Sequence, residues 1–249
     1  MPSDETSNQD SGTSSGHPAA DGPLPEFVDW ILGALIAIGG FLSLIGGSAL
    51  VFVVDRDTLA EGIEEGTITV TIYSAELTEE EMLEVVDAVV SWTGIGLLVT
   101  GIATLLFAVG YVIIRHRKRR RAEGGEHISS YGANIVLGAV AAGVFSFLPF
   151  SPGIGGALAG YLERADSDRT VSAGALAGLL AMLPILVILL FVLGGLVAGL
   201  RTVNQSGVAI LTSATMLFAL MLVATIGAGL GALGGYIGGR FAERPTDAT

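Results

Sequence analysis

Apolar residues in this chain gather into long runs that contain almost no charge, and the charged residues lie between those runs. About 20 apolar residues are needed to cross a bilayer core of about 30 Å. The pattern therefore predicts transmembrane helices. The first span is expected from Phe27 to Val54, opened by Trp30 at interface depth and closed by Asp55-Arg56-Asp57. Residues 55–87 follow as a loop with eleven carboxylates and one arginine. Within it, Thr67 to Tyr73 alternates β-branched residues and predicts a short strand. Thr78 with Glu81 three residues later forms a capping-box signature, so a helix is expected from near Glu79 through Trp92 to near Ile114.

The second hydrophobic half, 130–240, begins after a linker at 122–129. Residues 130–161 are too many for one straight span and are interrupted by Pro149-Phe150-Ser151-Pro152-Gly153. Two prolines three apart, followed by glycine, break a helix. Later spans are expected over 172–200 and 208–238, joined by the polar connection 201–207. The fold class is thus all-α, a polytopic transmembrane bundle of about five or six membrane helices. It has one proline-broken hairpin and a small external acidic loop holding a short strand.

Charge sets the orientation. Arg115, Arg117, Lys118, Arg119, Arg120 and Arg121 form the strongest topological signal, because cytoplasmic loops collect Lys and Arg near span ends. If 130–161 folds back as a hairpin, ten basic residues lie inside and two outside; if it crosses once, the split is seven to five. The hairpin is preferred. The expected product is a multi-pass cell-membrane protein with both termini cytoplasmic and the 55–87 loop outside.

The remaining composition narrows the class. The chain has 249 residues, 51% of them hydrophobic, and a mean hydropathy of +0.69. Its 24 acidic and 12 basic residues give a net charge of −12, with Lys118 the single lysine. Carboxylates spread over every exposed segment fit the proteins of a halophilic archaeon, where salt screens their repulsion. Recruitment of cations or of a basic partner is the alternative. Residues 1–26 carry little that could form a core and are expected to be a disordered acidic tail, not a signal peptide. A short tail is expected at 241–249. No cysteine is present, which excludes disulfides, thiolate metal sites and cysteine nucleophiles.

Small residues supply the next pattern. Gly156/Gly160, Gly174/Gly178 and Gly227/Gly231/Gly235 are spaced by four, which places each set on one helix face and lets backbones approach closely. This spacing serves packing within the bundle or homo-oligomerisation. Gly156-Ala157-Leu158-Ala159-Gly160-Tyr161-Leu162 also recurs as Gly231-Ala232-Leu233-Gly234-Gly235-Tyr236-Ile237, identical at five of seven positions. The repeat implies two related helical elements whose tyrosines share one interface.

The run from Phe147-Leu148-Pro149-Phe150-Ser151-Pro152-Gly153 through Gly160-Tyr161-Leu162, with Gly174-Ala175-Leu176-Ala177-Gly178 and Leu183-Pro184, resembles a haloarchaeal family of small multi-span membrane proteins of unknown function. The resemblance covers about residues 130–240. It implies a multi-span membrane protein and no activity or catalytic residues to carry over. Residues 27–121 look like a separate two-span module.

Chemistry is sparse. Span interiors hold no ionisable residue, the usual mark of a proton or ion relay. The chain lacks a phosphate-binding P-loop, a nucleophile elbow and a His-Glu-x-x-His zinc site. Asp55-Arg56-Asp57-Thr58-Leu59 puts leucine at a ligand position of a calcium loop, so an EF-hand is rejected. No catalytic residue, metal or cofactor is expected, and no nucleic-acid partner. The expected role is a non-enzymatic structural or accessory membrane component acting through glycine-mediated helix packing. Its partners would be membrane lipids and either a second copy or another membrane protein. The basic cluster would meet lipid headgroups. The alternative is a small-solute or ion transporter or channel, with Ser146, Pro149, Ser151, Pro152 and Gly153 lining a site where the broken helix exposes backbone groups.

Overall fold

The computed structural model describes residues 26–69, 77–123, 130–163 and 167–243. The expected tail up to Pro25, most of the Thr67–Tyr73 strand, most of the 122–129 linker and residues 244–249 lie outside the described residues.

Seven helices occur among the described residues: α1 (Glu26–Phe52), α2 (Arg56–Glu64), α3 (Glu79–Glu123), α4 (Tyr131–Val144), α5 (Ser151–Glu163), α6 (Ser167–Thr202) and α7 (Ser206–Ala242). Four of them, α1, α3, α6 and α7, are long and apolar enough to cross a membrane. Five or six membrane helices are expected from the sequence; four reach spanning length, and α4 and α5 are shorter. At 1.5 Å per residue, α4 with 14 residues and α5 with 13 each reach only about 20 Å.

Local chemistry explains the boundaries. The capping box forms, with Thr78 N–H donating to Glu81 Oε2 at 2.9 Å and Glu81 N–H to Thr78 Oγ1 at 3.3 Å. Arg and Lys are good helix formers, so α3 runs on through the basic cluster to Glu123, nine residues past the expected end at Ile114. Inside the acidic loop, Asp55 caps α2 by accepting from Thr58 N–H and Oγ1–H, at 2.9 and 2.5 Å. Those two bonds hold the Asp55 carboxyl below the usual carboxylate range. A carboxyl with a lowered pKa keeps its cap as pH falls through the ordinary range and loses it only in stronger acid. Asp55→Ala is thus expected to fray α2 at neutral pH, seen as faster amide exchange at Thr58. α6 ends in an αL turn at Asn204 (φ 60°), with Gln205 N–H donating to Leu200 O and Asn204 N–H to Arg201 O.

Packing fixes relative directions. α1 lies antiparallel on α3 through Gly40 against Gly101 and Gly47 against Gly94. α3 lies antiparallel on α6, where Gly195 and Gly199 meet Ala88 and Val85. α6 is antiparallel to α7, and α5 runs parallel to α7. One end of the bundle therefore carries Arg115–Arg121, Arg169 and Arg240, and the other carries α2 and the acidic start of α3. The α4–α5 hairpin enters from the basic end. Gly153, beside its turn, packs near Leu230 of α7, about 18 Å from the basic end of that helix at 1.5 Å per residue. The hairpin turns back part-way through the bundle.

The interior is built from small residues. Ala159, Ala173 and Ala177 are fully buried, and the largest fully buried side chains are Leu200 and Val85. Larger apolar side chains such as Phe41, Phe218 and Met221 face outward. This inversion suits a lipid solvent. Lipid tails are as apolar as leucine, so association rests on close van der Waals fit rather than on burial of bulk.

Candidate functional site

Three places have the chemistry to matter, and the first is the helix break. Residues 145–150 turn upon themselves: Ser146 N–H donates to Gly143 O, Leu148 to Phe145 O, Ser151 to Leu148 O, and Gly153 to Phe150 O. These bonds satisfy backbone groups that unwinding would otherwise leave bare at membrane depth. Ser146 and Pro149 are exposed, Ser151 and Pro152 are buried, and Gly153 is half-buried. The five residues do not converge on a common cavity wall, since two face outward and two are packed inward.

The second place is the glycine seam, where α5, α6 and α7 meet. Gly156, Gly160, Gly174, Gly178, Gly227, Gly231 and Gly235 are all buried. A methyl added at Gly156 would overlap Gly231 O, and one at Gly160 would overlap Gly235 O. The pairing offset is the same in both, so the two copies of the repeated heptapeptide lie side by side, parallel and in register. Across α6, Gly174 meets Gly231 O and Gly178 meets Gly227 O. Helix α7 is thus held on two faces at once.

Sequence reading missed part of this seam. Gly234 and Gly238 abut Gly153 O and Ala157 O of α5, and Gly239 abuts Thr170. Their signal was the Gly-Gly pairs themselves, since a pair serves two faces of one helix. Gly33, Gly40 and Gly47 on α1, with Gly94 and Gly101 on α3, repeat every seven residues. A seven-residue repeat keeps one seam facing an antiparallel partner. The Gly39-Gly40 and Gly46-Gly47 pairs of the first span mark it in the sequence as a face for close helix approach, though four-residue spacing alone does not find it.

Residues 132–241 match a family of unknown function, DUF5518. The DUF5518 region contains the α4–α5 hairpin and the whole glycine seam, and it coincides with the 130–240 stretch expected from resemblance. Helices α1, α2 and most of α3 lie outside it. Comparison with curated proteins and with solved structures gives no match.

The third place is the basic end. Arg115 stands apart from the rest of its cluster. It is buried, and its Nε donates to Asp29 Oδ1 at 2.9 Å; Tyr111 Oη–H donates to the same oxygen at 3.3 Å. Arg117, Arg120 and Arg121 are exposed and Lys118 is half-buried, whereas the side chain of Arg119 lies outside the described residues. A cavity of about 480 Å³ opens here between α1 and α3, lined by Asp29, Trp30, Arg115, His116, Arg117 and Arg120. A second polar group ties the hairpin to α6. Half-buried Glu163 accepts from Asn134 Nδ2 at 3.1 Å and pairs with exposed Arg169 at 3.6 Å. Arg169 also stacks over the Tyr131 ring, 5.5 Å from its centroid.

Proposed function

We propose that this chain is a non-enzymatic structural or accessory component of the cell membrane, working through its glycine-packed helices. The observation that carries the reading is the in-register contact of Gly156/Gly160 with Gly231/Gly235. Backbones this close leave no lumen between α5, α6 and α7, and such a seam resists the sliding that alternating access requires. A permeation site at the break draws less support, because Ser146 and Pro149 face outward while Ser151 and Pro152 are packed.

The proposed orientation has both termini cytoplasmic, following the cation-rich end. A reporter at the C-terminus is expected to signal from the cytoplasm, and one inserted at Gly66 from outside. An external C-terminus would reverse the assignment. The acidity of the loops supports a halophilic setting. Membrane lipids and a second copy or another membrane protein are the proposed partners, with no cofactor, metal or nucleic acid.

Mild-detergent purification followed by mass spectrometry of the intact particle tests the role. A stable homo-oligomer or a recurrent membrane partner is expected. A monomer that carries a stoichiometric water-soluble solute would overturn the reading. The exposed cations are proposed to hold anionic headgroups, each contributing on the order of 1 kcal/mol at low salt. Replacing Arg117 and Arg120 by glutamine is therefore expected to strip co-purified anionic lipid, most visibly at low ionic strength.

A further inference from the structure

The glycine row that seats α1 on α3 ends at Gly33, where an added Cβ would meet the Val112 side chain at 2.8 Å. Nearer the basic end α1 carries Trp30 and Asp29, which lack the small size that close approach needs. The cavity of about 480 Å³ opens there. Its α3 wall is graded. Val112 and Ile113 lie at the inner end, and His116, Arg117 and Arg120 follow toward the basic end. Ile113, Arg117 and Arg120 are spaced by four and three, so they share one helix face. From Ile113 to Arg120 the rise is about 10 Å at 1.5 Å per residue. The wall thus turns from apolar to cationic over the depth at which a phospholipid turns from acyl chain to headgroup.

The charge balance selects the occupant. Four of the lining residues are basic, counting His116, and one is acidic. Asp29 is engaged by Arg115 and Tyr111. Arg117 and Arg120 are exposed and, among the described residues, have no carboxylate partner. Two guanidiniums therefore border one space with uncompensated positive charge, and a guanidinium pairs with phosphate through two parallel hydrogen bonds. The rest of the wall, exposed Trp30 with Val112 and Ile113, suits a hydrocarbon chain beside an aromatic ring at interface depth. A soluble anion would satisfy the cations and leave that apolar wall uncovered.

We infer that the cavity between α1 and α3 holds one anionic phospholipid, its phosphate on Arg117 and Arg120 and one acyl chain along Trp30 and Ile113. The inference rests on the headgroup reading of the basic end and goes further. A diffuse cationic surface attracts lipid through every exposed charge alike, whereas a site uses only the cations that line it. Lys118 and Arg121 belong to the same cluster but lie outside the lining, so they supply the comparison.

Trp30 supplies the readout. The only other tryptophan, Trp92, sits against Phe191 and Gly194, so in a Trp92→Phe background the emission belongs to Trp30. The full chain in phosphatidylcholine nanodiscs at low ionic strength is given phosphatidylglycerol brominated near the headgroup end of its acyl chains. Brominated phosphatidylcholine is the control. Phosphatidylglycerol is expected to quench Trp30 saturably and in preference to phosphatidylcholine. Arg117→Gln with Arg120→Gln should raise the half-saturating fraction about tenfold, whereas Lys118→Gln with Arg121→Gln, which removes the same charge, should change it by less than about twofold. Inorganic phosphate at matched ionic strength should not relieve the quenching. Equal weakening by both pairs would overturn the site and leave the headgroup reading standing; equal quenching by the two lipids would overturn both. Relief by inorganic phosphate would assign the cavity to a soluble anion and overturn the inference as well.

Discussion

Gly231→Leu is expected to be the most disruptive single substitution in the chain. A side chain at 231 would overlap the Gly174 carbonyl and crowd Gly178 Cα at 3.1 Å. Its backbone is also the obstacle that forbids side chains at Gly156 and Gly174. Overpacking a well-fitted core costs about 1–3 kcal/mol when neighbouring side chains can adjust. Here the obstacles are backbone atoms of α6, which cannot adjust without moving the two helices apart, so loss of the folded bundle in mild detergent is expected. Gly229→Leu is the control. It lies two residues away, where an added Cβ meets nothing within 4 Å, and removing an interior glycine from a helix gains about 0.5–1 kcal/mol of propensity. The 229 variant should therefore unfold at or slightly above the wild-type midpoint, while the 231 variant shows no cooperative transition. Equal midpoints for the two would remove the seam as the source of stability.

How far the fold could be read from sequence follows from which signals are one-dimensional. Span positions and the α3 start were legible, because apolar run length and a Thr-x-x-Glu cap are local properties. Helix α2 was not read. Its cap, Asp55 to Thr58, sits in a segment dominated by charge, and no apolar period marks a helix of nine residues. The four-residue glycine rows were legible, but their partners were not, because spacing gives a face and never the helix opposite. The pairing of Gly156 with Gly231 required the repeat and the parallel direction of α5 and α7 together. Arg115 read as one cation among several, and no local signal links it to Asp29, 86 positions away in the chain.

That pairing carries the second large effect. Asp29→Asn is expected to destabilise the bundle by about 3–5 kcal/mol, the usual cost of removing one partner from a buried ion pair. The side chains of Arg115 and Asp29 are 10% and 7% exposed, so salt cannot stand in for the lost charge. The guanidinium is already under-satisfied, with Nη2 buried and without a partner among the described residues. Losing its carboxylate would leave a buried cation held by α3 alone, and α1 would lose its polar tie to that helix. The penalty belongs to the orphaned charge more than to the bond itself, so removing both charges should recover most of it. Asp29→Leu combined with Arg115→Met is expected to melt closer to wild type than Asp29→Leu alone, with a coupling energy a double-mutant cycle can read. Tyr111→Phe removes a neutral donor and should cost only about 0.5–1.5 kcal/mol. Arg169→Gln supplies the exposed comparison. Its side chain is 56% exposed where it pairs with Glu163, and a loss of about 0–1 kcal/mol is expected there. If Asp29→Asn proves as mild as Arg169→Gln, the α1–α3 contact is held by Gly40, Gly47, Gly94 and Gly101, and the ion pair adds no net stability.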